Sequence, residues 1–598
     1  MMSYHLDDLN IPLMDDVDPY DLPPKELADR FFAAYMDSVH PAFEIIRKTI
    51  FVTQYRQFFK QPFKPPRRWL AILNMIFALG CRYCLLLNDG VVANDEGWDD
   101  LVYFNRARKL CLGETALFEH TDLQQIQVET LVALYLVVLG QINRASNFAS
   151  MAFRSALSLG INLRFEDDRT HHASKEARSR LWWSIYVVEH LLTATTGRAS
   201  CVGEGLSATP LPITFEEENF DKPHVFCLFQ NPSLRASQLK LTLFETDEEA
   251  QAKAQWLATC EPSPSLFFHC FVDLCAITQA VINKRVRKYS ANLDTWLAQL
   301  PPAYRFTSQP HPHDTLHLPD DAFMRERVCL AIAYYSARIT ISRPCLTHTH
   351  PKPKNPKDAS KDPSSKEPSS LSSSPEIPDL QPPKSTTRST STTTNDPSTS
   401  TSTGITSAAT SGSASASSRR TNLSASCLRS AVTLISILPD TPDSTWLLRF
   451  SPWWSILHYL MQATTALLLS LSSSDVLPST PLPNAATYGP APDTPAVIRA
   501  TKKSLRWLHA MGKVNAASRR AFVLCDGFMR RIAPNVGVEI GDLPDGRELL
   551  PSSVSVSAGA GAGAGANANV NLSAGFMPGN GNGNGNGNGG EVSDGGWG

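Results

Sequence analysis

The run from Gln124 to Leu139 is apolar almost all the way round in its second half, with Leu131, Leu134, Tyr135 and Val138 sharing part of one face. A helix of that kind has no side for solvent, so the chain must build other helices around it. After Gly140 and Asn143, a second stretch places Ala145, Phe148, Ala149, Ala152, Ala156 and Leu159 at helical spacing, and Gly160 suits a left-handed stop. Small residues on that stripe allow close helix packing. A third helix is signalled by Ser174 as N-cap, with Glu176 in the first turn where an acid complements the helix dipole. Leu181, Ile185, Val188, Leu192 and Thr195 recur at intervals of three and four, Glu176 and Arg180 are expected to pair on the surface, and the helix should end before Gly197. No sustained period-two alternation bounded by hairpin turns occurs, so the expected fold class is all-α.

How much chain joins this core follows from composition. With 598 residues and 42% apolar, one large core or two ordinary ones are within reach. A Ser/Thr/Pro-rich stretch with almost no large apolar residue cannot offset the entropy of ordering. The expected division is therefore an acidic extended lead-in over 1–20, a helical domain over 21–345, a disordered linker or insertion over 346–425, C-terminal helices of the same domain over 426–534, and a disordered tail over 535–598. In the tail, Gly-Ala and then Gly-Asn pairs take over after Pro551. The lead-in, LDDLNIPLMDDVDPYDLPP from Leu6, reads equally as a disordered acidic activation segment or as a strap leading into the first helix.

Lys and Arg number 55 against 57 for Asp and Glu, which argues against an autonomous nucleic-acid binder. The twelve cysteines are scattered, mostly in apolar stretches, and no secretory signal opens the chain, so free thiols in a reducing, intracellular compartment are expected. Cys81 and Cys84 form a lone C-x-x-C in an apolar run and read as packed thiols. Ser451 to Ser474 carries no formal charge but is interrupted by His458, Gln462 and Thr464, and reads as a core helix and not a membrane span. Trp182 and Trp183 read as core anchors in preference to a ligand pocket, and His171 and His172 as solvated loop residues in preference to metal ligands. Lys352, Lys354, Lys357, Arg419 and Arg420 suit either nuclear import or ordinary linker charge. No nucleophile elbow, phosphate loop or zinc-protease motif is present, so no enzyme is expected and no catalytic, cofactor-binding or metal residue is assigned.

The run LQQIQVETLVALYLVVLGQINRASNFASMAFRSALSLGINLR (123–164), followed by EARSRLWWSIYVVEHLLTATTGRAS (176–200), resembles the fungal-specific transcription factor domain, or middle homology region. Leu159, Gly160, Glu176, Arg178, Arg180, Trp182, Trp183, Gly197 and Arg198 match its pattern. Looser matches include WLAILNMIFALGCRYC from Trp69, ARITISRPCL from Ala337 and SPWWSILHYLMQATTALLL from Ser451. Glu189 and His190 stand where the family has an Asp-Arg pair, and Ala199 where it has proline. The resemblance implies a nuclear module regulating RNA polymerase II transcription. In that family a zinc cluster of six cysteines precedes the domain and reads DNA. Cys81 is the first cysteine here and nothing follows Cys84 until Cys111, so zinc is expected only if a longer form carries the cluster, and DNA only through such a head or a partner. The partners implied are the transcription machinery, other transcription factors or a second copy, with no membrane. A helical adaptor that modulates other factors is the alternative, and an unrecognised enzyme is the next. The resemblance also suggests a two-state element in the helix from Ser174 to Thr196 and the turn at Gly197 and Arg198.

Overall fold

The computed structural model describes residues 3–60, 65–87, 97–113, 118–167, 169–203, 207–284, 289–306, 323–346, 408–472 and 491–549. Their regular structure is all helix, with no strand among them. The first group is α1 (Lys25–Ser38), α2 (Lys48–Lys60), α3 (Arg67–Leu87), α4 (Asp100–Cys111), α5 (Leu123–Val138), α6 (Ile142–Ser158) and α7 (His172–Thr196). Next come α8 (Pro223–Gln230), α9 (Pro232–Gln238), α10 (Asp247–Leu257), α11 (Pro264–Lys284), α12 (Tyr289–Gln299) and α13 (Met324–Ser342). The last group is α14 (Ala408–Ile437), α15 (Ser444–Phe450), α16 (Ile456–Ser472), α17 (Thr494–Gly512) and α18 (Ala516–Val536).

The all-round apolar α5 lies inside, against α3, α6 and α7, and nearly every residue from Ile126 to Leu136 is buried. From there the packing runs on without a break: α7 on α11, α11 on α13, α13 on α14, α14 on α16, and α16 on α17 and α18. One buried hydrophobic cluster spans Ala28 to Leu549. Where α1 crosses α3 the backbones touch at Gly80, whose added Cβ would stand 2.0 Å from the Phe31 carbonyl oxygen. Only glycine permits that approach.

The apolar stretch at Ser451 is a buried helix, α16, in which Gln462 donates to Thr340 and accepts from Ser336. Two other helices, α3 and α11, are long and apolar enough to cross a membrane, and both are mostly buried inside this core. The cysteines are free thiols, buried except for Cys201 and Cys227.

One open reading closes and three expectations change. The lead-in is a strap: Leu6 N–H donates to the Gly140 carbonyl, Asp8 pairs with Arg520 at 2.6 Å, Asp15 with Arg108 at 3.1 Å, and Asp21 with Arg106. Its acids meet a cradle of arginines drawn from α4 and α18, which composition alone does not reveal. The linker expected over 346–425 gives way to helix at Ala408, which runs on into the buried segment from Ser424 to Leu438; residues 347–407 lie outside the described residues. The tail expected from 535 does not start there, since Leu543 and Leu549 are buried against the core; residues 550–598 lie outside the described residues. Finally, α7 starts at His172, with the His171 ring accepting from Ala173 N–H. Ser174 instead receives Arg47, a partner 127 residues away that sequence does not show.

Candidate functional site

The first half of α7 is built around charge that the core encloses. Glu176 is 1% exposed and so is no surface residue. One carboxylate oxygen accepts from Arg180 Nε at 3.3 Å and from Ile213 N–H at 2.7 Å; the other accepts from Arg235 of α9 at 2.6 Å. Arg180 reaches onward to Glu44, before α2, at 2.6 Å, and donates to the carbonyl of Phe215 at 2.8 Å. Beside this chain of alternating charges, Arg47 Nε donates to Glu217 at 2.7 Å and Thr49 to the same carboxylate at 2.6 Å. Glu216 accepts from Ser265 N–H at the start of α11.

The surroundings set the protonation of each group. Burial pushes Glu176 up, but Arg235, Arg180 and the Ile213 N–H outweigh it and hold the carboxyl below its usual range. Glu44 goes the other way: burial, helped by Glu216 and Glu176, outweighs Arg180 and raises it to about 7. The network thus joins α7 to the α1–α2 connection, the 211–217 segment, α9 and α11. The sequence shows Glu176 and Arg180 as an i, i+4 pair but not which side of α7 is covered, and it gives no sign of Glu44 or Arg235.

The remaining signature residues scaffold this arrangement. Leu159 ends α6 and its carbonyl accepts from Arg178 at 3.4 Å, while Gly160 takes the left-handed conformation at φ 69°. Arg178 also lies over the Phe165 ring at 4.6 Å. Trp182 is fully buried with its ring 5.5 Å from Phe153. Trp183 is buried too, and its indole N–H donates to the Pro210 carbonyl at 2.9 Å. Gly197 closes α7 at φ 67°, followed by exposed Arg198. Where the family has an Asp-Arg pair, Glu189 accepts from Cys201 N–H at 2.8 Å, and His190, lowered to about 4 by burial, bonds Gln279 at 2.9 Å.

One edge of Trp183 faces a cleft of about 890 Å³, whose other walls include Tyr186, Leu211, Leu239, Leu243 and Phe244, with Arg164 and Arg235 as cations. Its 240–245 wall is pinned by a second buried network. Lys253, 1% exposed, bridges Glu245 at 2.9 Å and Asp273 at 3.0 Å, and Asp273 accepts from Thr242. The two carboxylates outweigh burial and keep Lys253 above its usual range. Asp273 is not singled out from sequence above, although a lone acid inside the apolar run FFHCFVDLCAI marks it. Chemically, the cleft offers apolar walls with cationic groups at fixed positions; it assembles no nucleophile with a base.

Cys81 and Cys84 are buried within α3, and both thiols are raised by burial. His172 packs against Phe229 with ring centroids 4.5 Å apart, and so differs from the solvated residue expected. No group of three metal-ligating side chains occurs among the described residues. Lys352, Lys354 and Lys357 lie outside the described residues, as do the side chains of Arg419 and Arg420.

The family model for the fungal-specific transcription factor domain matches residues 30–300. The transcription regulator galc of Aspergillus niger is 53% identical over 567 residues, covering 92% of this chain and 63% of that protein. The thiamine repressible genes regulatory protein thi1 of Schizosaccharomyces pombe is 24% identical over 263 residues, 44% of this chain and 30% of its own length. Cutinase transcription factor 1 alpha of Fusarium vanettenii is 25% identical over 197 residues, 32% of this chain and 20% of its own length. The chain therefore spans 63% or less of these relatives. No solved structure matches it.

Proposed function

Because residues 30–300 match the family model for the fungal-specific transcription factor domain, we propose that the chain is the regulatory part of a nuclear transcription regulator acting on RNA polymerase II genes. The observation that carries this reading is that the family match encloses the whole buried charge network, from Glu44 through Glu176 and Arg180 to Arg235, together with all nine signature residues. The similarity to galc over 92% of the chain supports it. In this reading, sequence-specific contact with DNA comes from a head or partner outside the helical domain, since base readout needs side chains placed at base edges and affinity needs several phosphate contacts. Zinc belongs to such a head. The partners are the transcription machinery or other factors, and the chain performs no catalysis.

Regulation then proceeds by a shift in helix packing, with α7 and the turn at Gly197 and Arg198 as the two-state element. The buried ion pairs make such a shift discrete: Arg180 and Arg235 cannot leave Glu176 singly without stranding a buried charge. Deleting the gene in its host and sequencing nuclear RNA tests the function. A defined set of transcripts should change, and an unchanged transcript profile under every growth condition would overturn the reading.

A further inference from the structure

Outside residues 30–300, α14 and α17 enclose an open groove of about 740 Å³. Its apolar surface includes Val432, Ile435 and Ile498. Along one side, Arg499, Lys502, Lys503 and Arg506 recur at intervals of three and four, forming a cationic stripe over roughly 10 Å of helix axis. Only two carboxylates line the same groove. Asp542 lies 2.6 Å from Lys502 and 2.9 Å from Arg506, and Asp440 lies 2.8 Å from Lys503. The lysines are the more buried members of their pairs: Lys503 is 13% exposed against 97% for Asp440. The lysine side chains are thus largely covered, while their counter-ions are the more solvated partners.

We propose that this groove docks an acidic amphipathic helix from a partner protein. Such a segment matches both features at once, since apolar side chains one turn apart cover Val432 and Ile498 while carboxylates on its flank meet the stripe, displacing Asp440 and Asp542. A nucleic-acid backbone matches only the cations and leaves the apolar surface uncovered. The inference stands apart from the family reading, because neither α14 nor α17 lies in the matched residues.

The test uses the full chain and two labelled probes: an amphipathic helical peptide of Leu, Ala and Glu, about twenty residues long, and a DNA duplex of about twenty base pairs. Fluorescence anisotropy should show saturable peptide binding in about the ten-micromolar range, weakened roughly tenfold by combining Arg499→Glu with Lys503→Glu. Asp440→Asn, a change at an almost fully exposed carboxylate that leaves the core untouched, should tighten the peptide about two- to fivefold by removing an internal competitor. Unchanged affinity in the charge-reversed chain, weaker binding by Asp440→Asn, or duplex bound more tightly than peptide would each overturn the proposal.

Discussion

Replacing Glu176 by glutamine asks whether the α7 network is a buried structure or the surface pair that i, i+4 spacing suggests. The substitution keeps shape and leaves an acceptor for the Ile213 N–H, but removes the charge. Arg180 retains Glu44 at 2.6 Å, whereas Arg235 loses the carboxylate at 2.6 Å and keeps the Leu211 carbonyl at 3.1 Å and the Phe229 ring at 5.8 Å. Arg235 is 11% exposed, so its guanidinium is stranded in a poorly solvated place. Breaking a buried pair costs about 3–5 kcal/mol, and the retained hydrogen bond puts this case near the lower end. A surface pair would cost about 0.3–0.5 kcal/mol. Urea denaturation at pH 7, followed by far-ultraviolet circular dichroism of the helices, separates the two. Adding Arg235→Met should recover part of the loss, because it removes the stranded cation, and a double-mutant cycle measures that coupling. A Glu176→Gln loss below about 1 kcal/mol, or a double mutant no better than the sum of the singles, would refute the reasoning.

Glu44 is raised to about 7, so it favours the folded state below its unfolded value near 4.5, and that contribution fades as pH rises through 7. Relative to Glu44→Gln, the wild type should therefore lose about 3 kcal/mol between pH 4 and pH 8, read from denaturation midpoints at each pH. Gly80→Ala forces α1 and α3 apart at the Phe31 carbonyl and should destabilise by about 1–3 kcal/mol or more, seen as a lower melting temperature. Amide hydrogen exchange should show protection at Leu6, whose N–H is bonded to Gly140, and its loss in high salt as the Asp8–Arg520 pair is screened; exchange at the free-peptide rate in low salt would exclude the strap. Limited proteolysis should cut between residues 346 and 408 and leave two fragments that stay associated through the packing of α13 on α14, and fragments that part would contradict it.

What could be read from the chain beforehand depended on whether the cause was local. The helices from Leu123 to Thr196 follow from apolar spacing, and Gly160 and Gly197 act as the left-handed stops that spacing anticipates. The site was half legible. Glu176, Arg178 and Arg180 stand out as charges in a signature, but their burial depends on Glu44, Ile213 and Arg235, which the fold brings in from 132, 37 and 59 residues away from Glu176. Periodicity says which residues share a face of α7 and not that the 211–217 segment covers it. From sequence the lead-in stays undecided between strap and disordered segment for the same reason, since Arg106, Arg108 and Arg520 come from helices far apart in sequence. Lys253 was hidden among ordinary surface charge on α10 until Asp273 and Glu245 closed around it.

The central claim, that this helical chain carries a transcription-regulatory output of its own, is tested most directly by tethering. The chain is fused to an unrelated DNA-binding head in a fungal strain whose reporter carries the matching sites, beside the head alone at equal nuclear level. The fusion should raise or lower reporter transcript severalfold, and Glu176→Gln should abolish that change while the protein is still present. A reporter that responds no differently to the fusion than to the head alone would contradict the account.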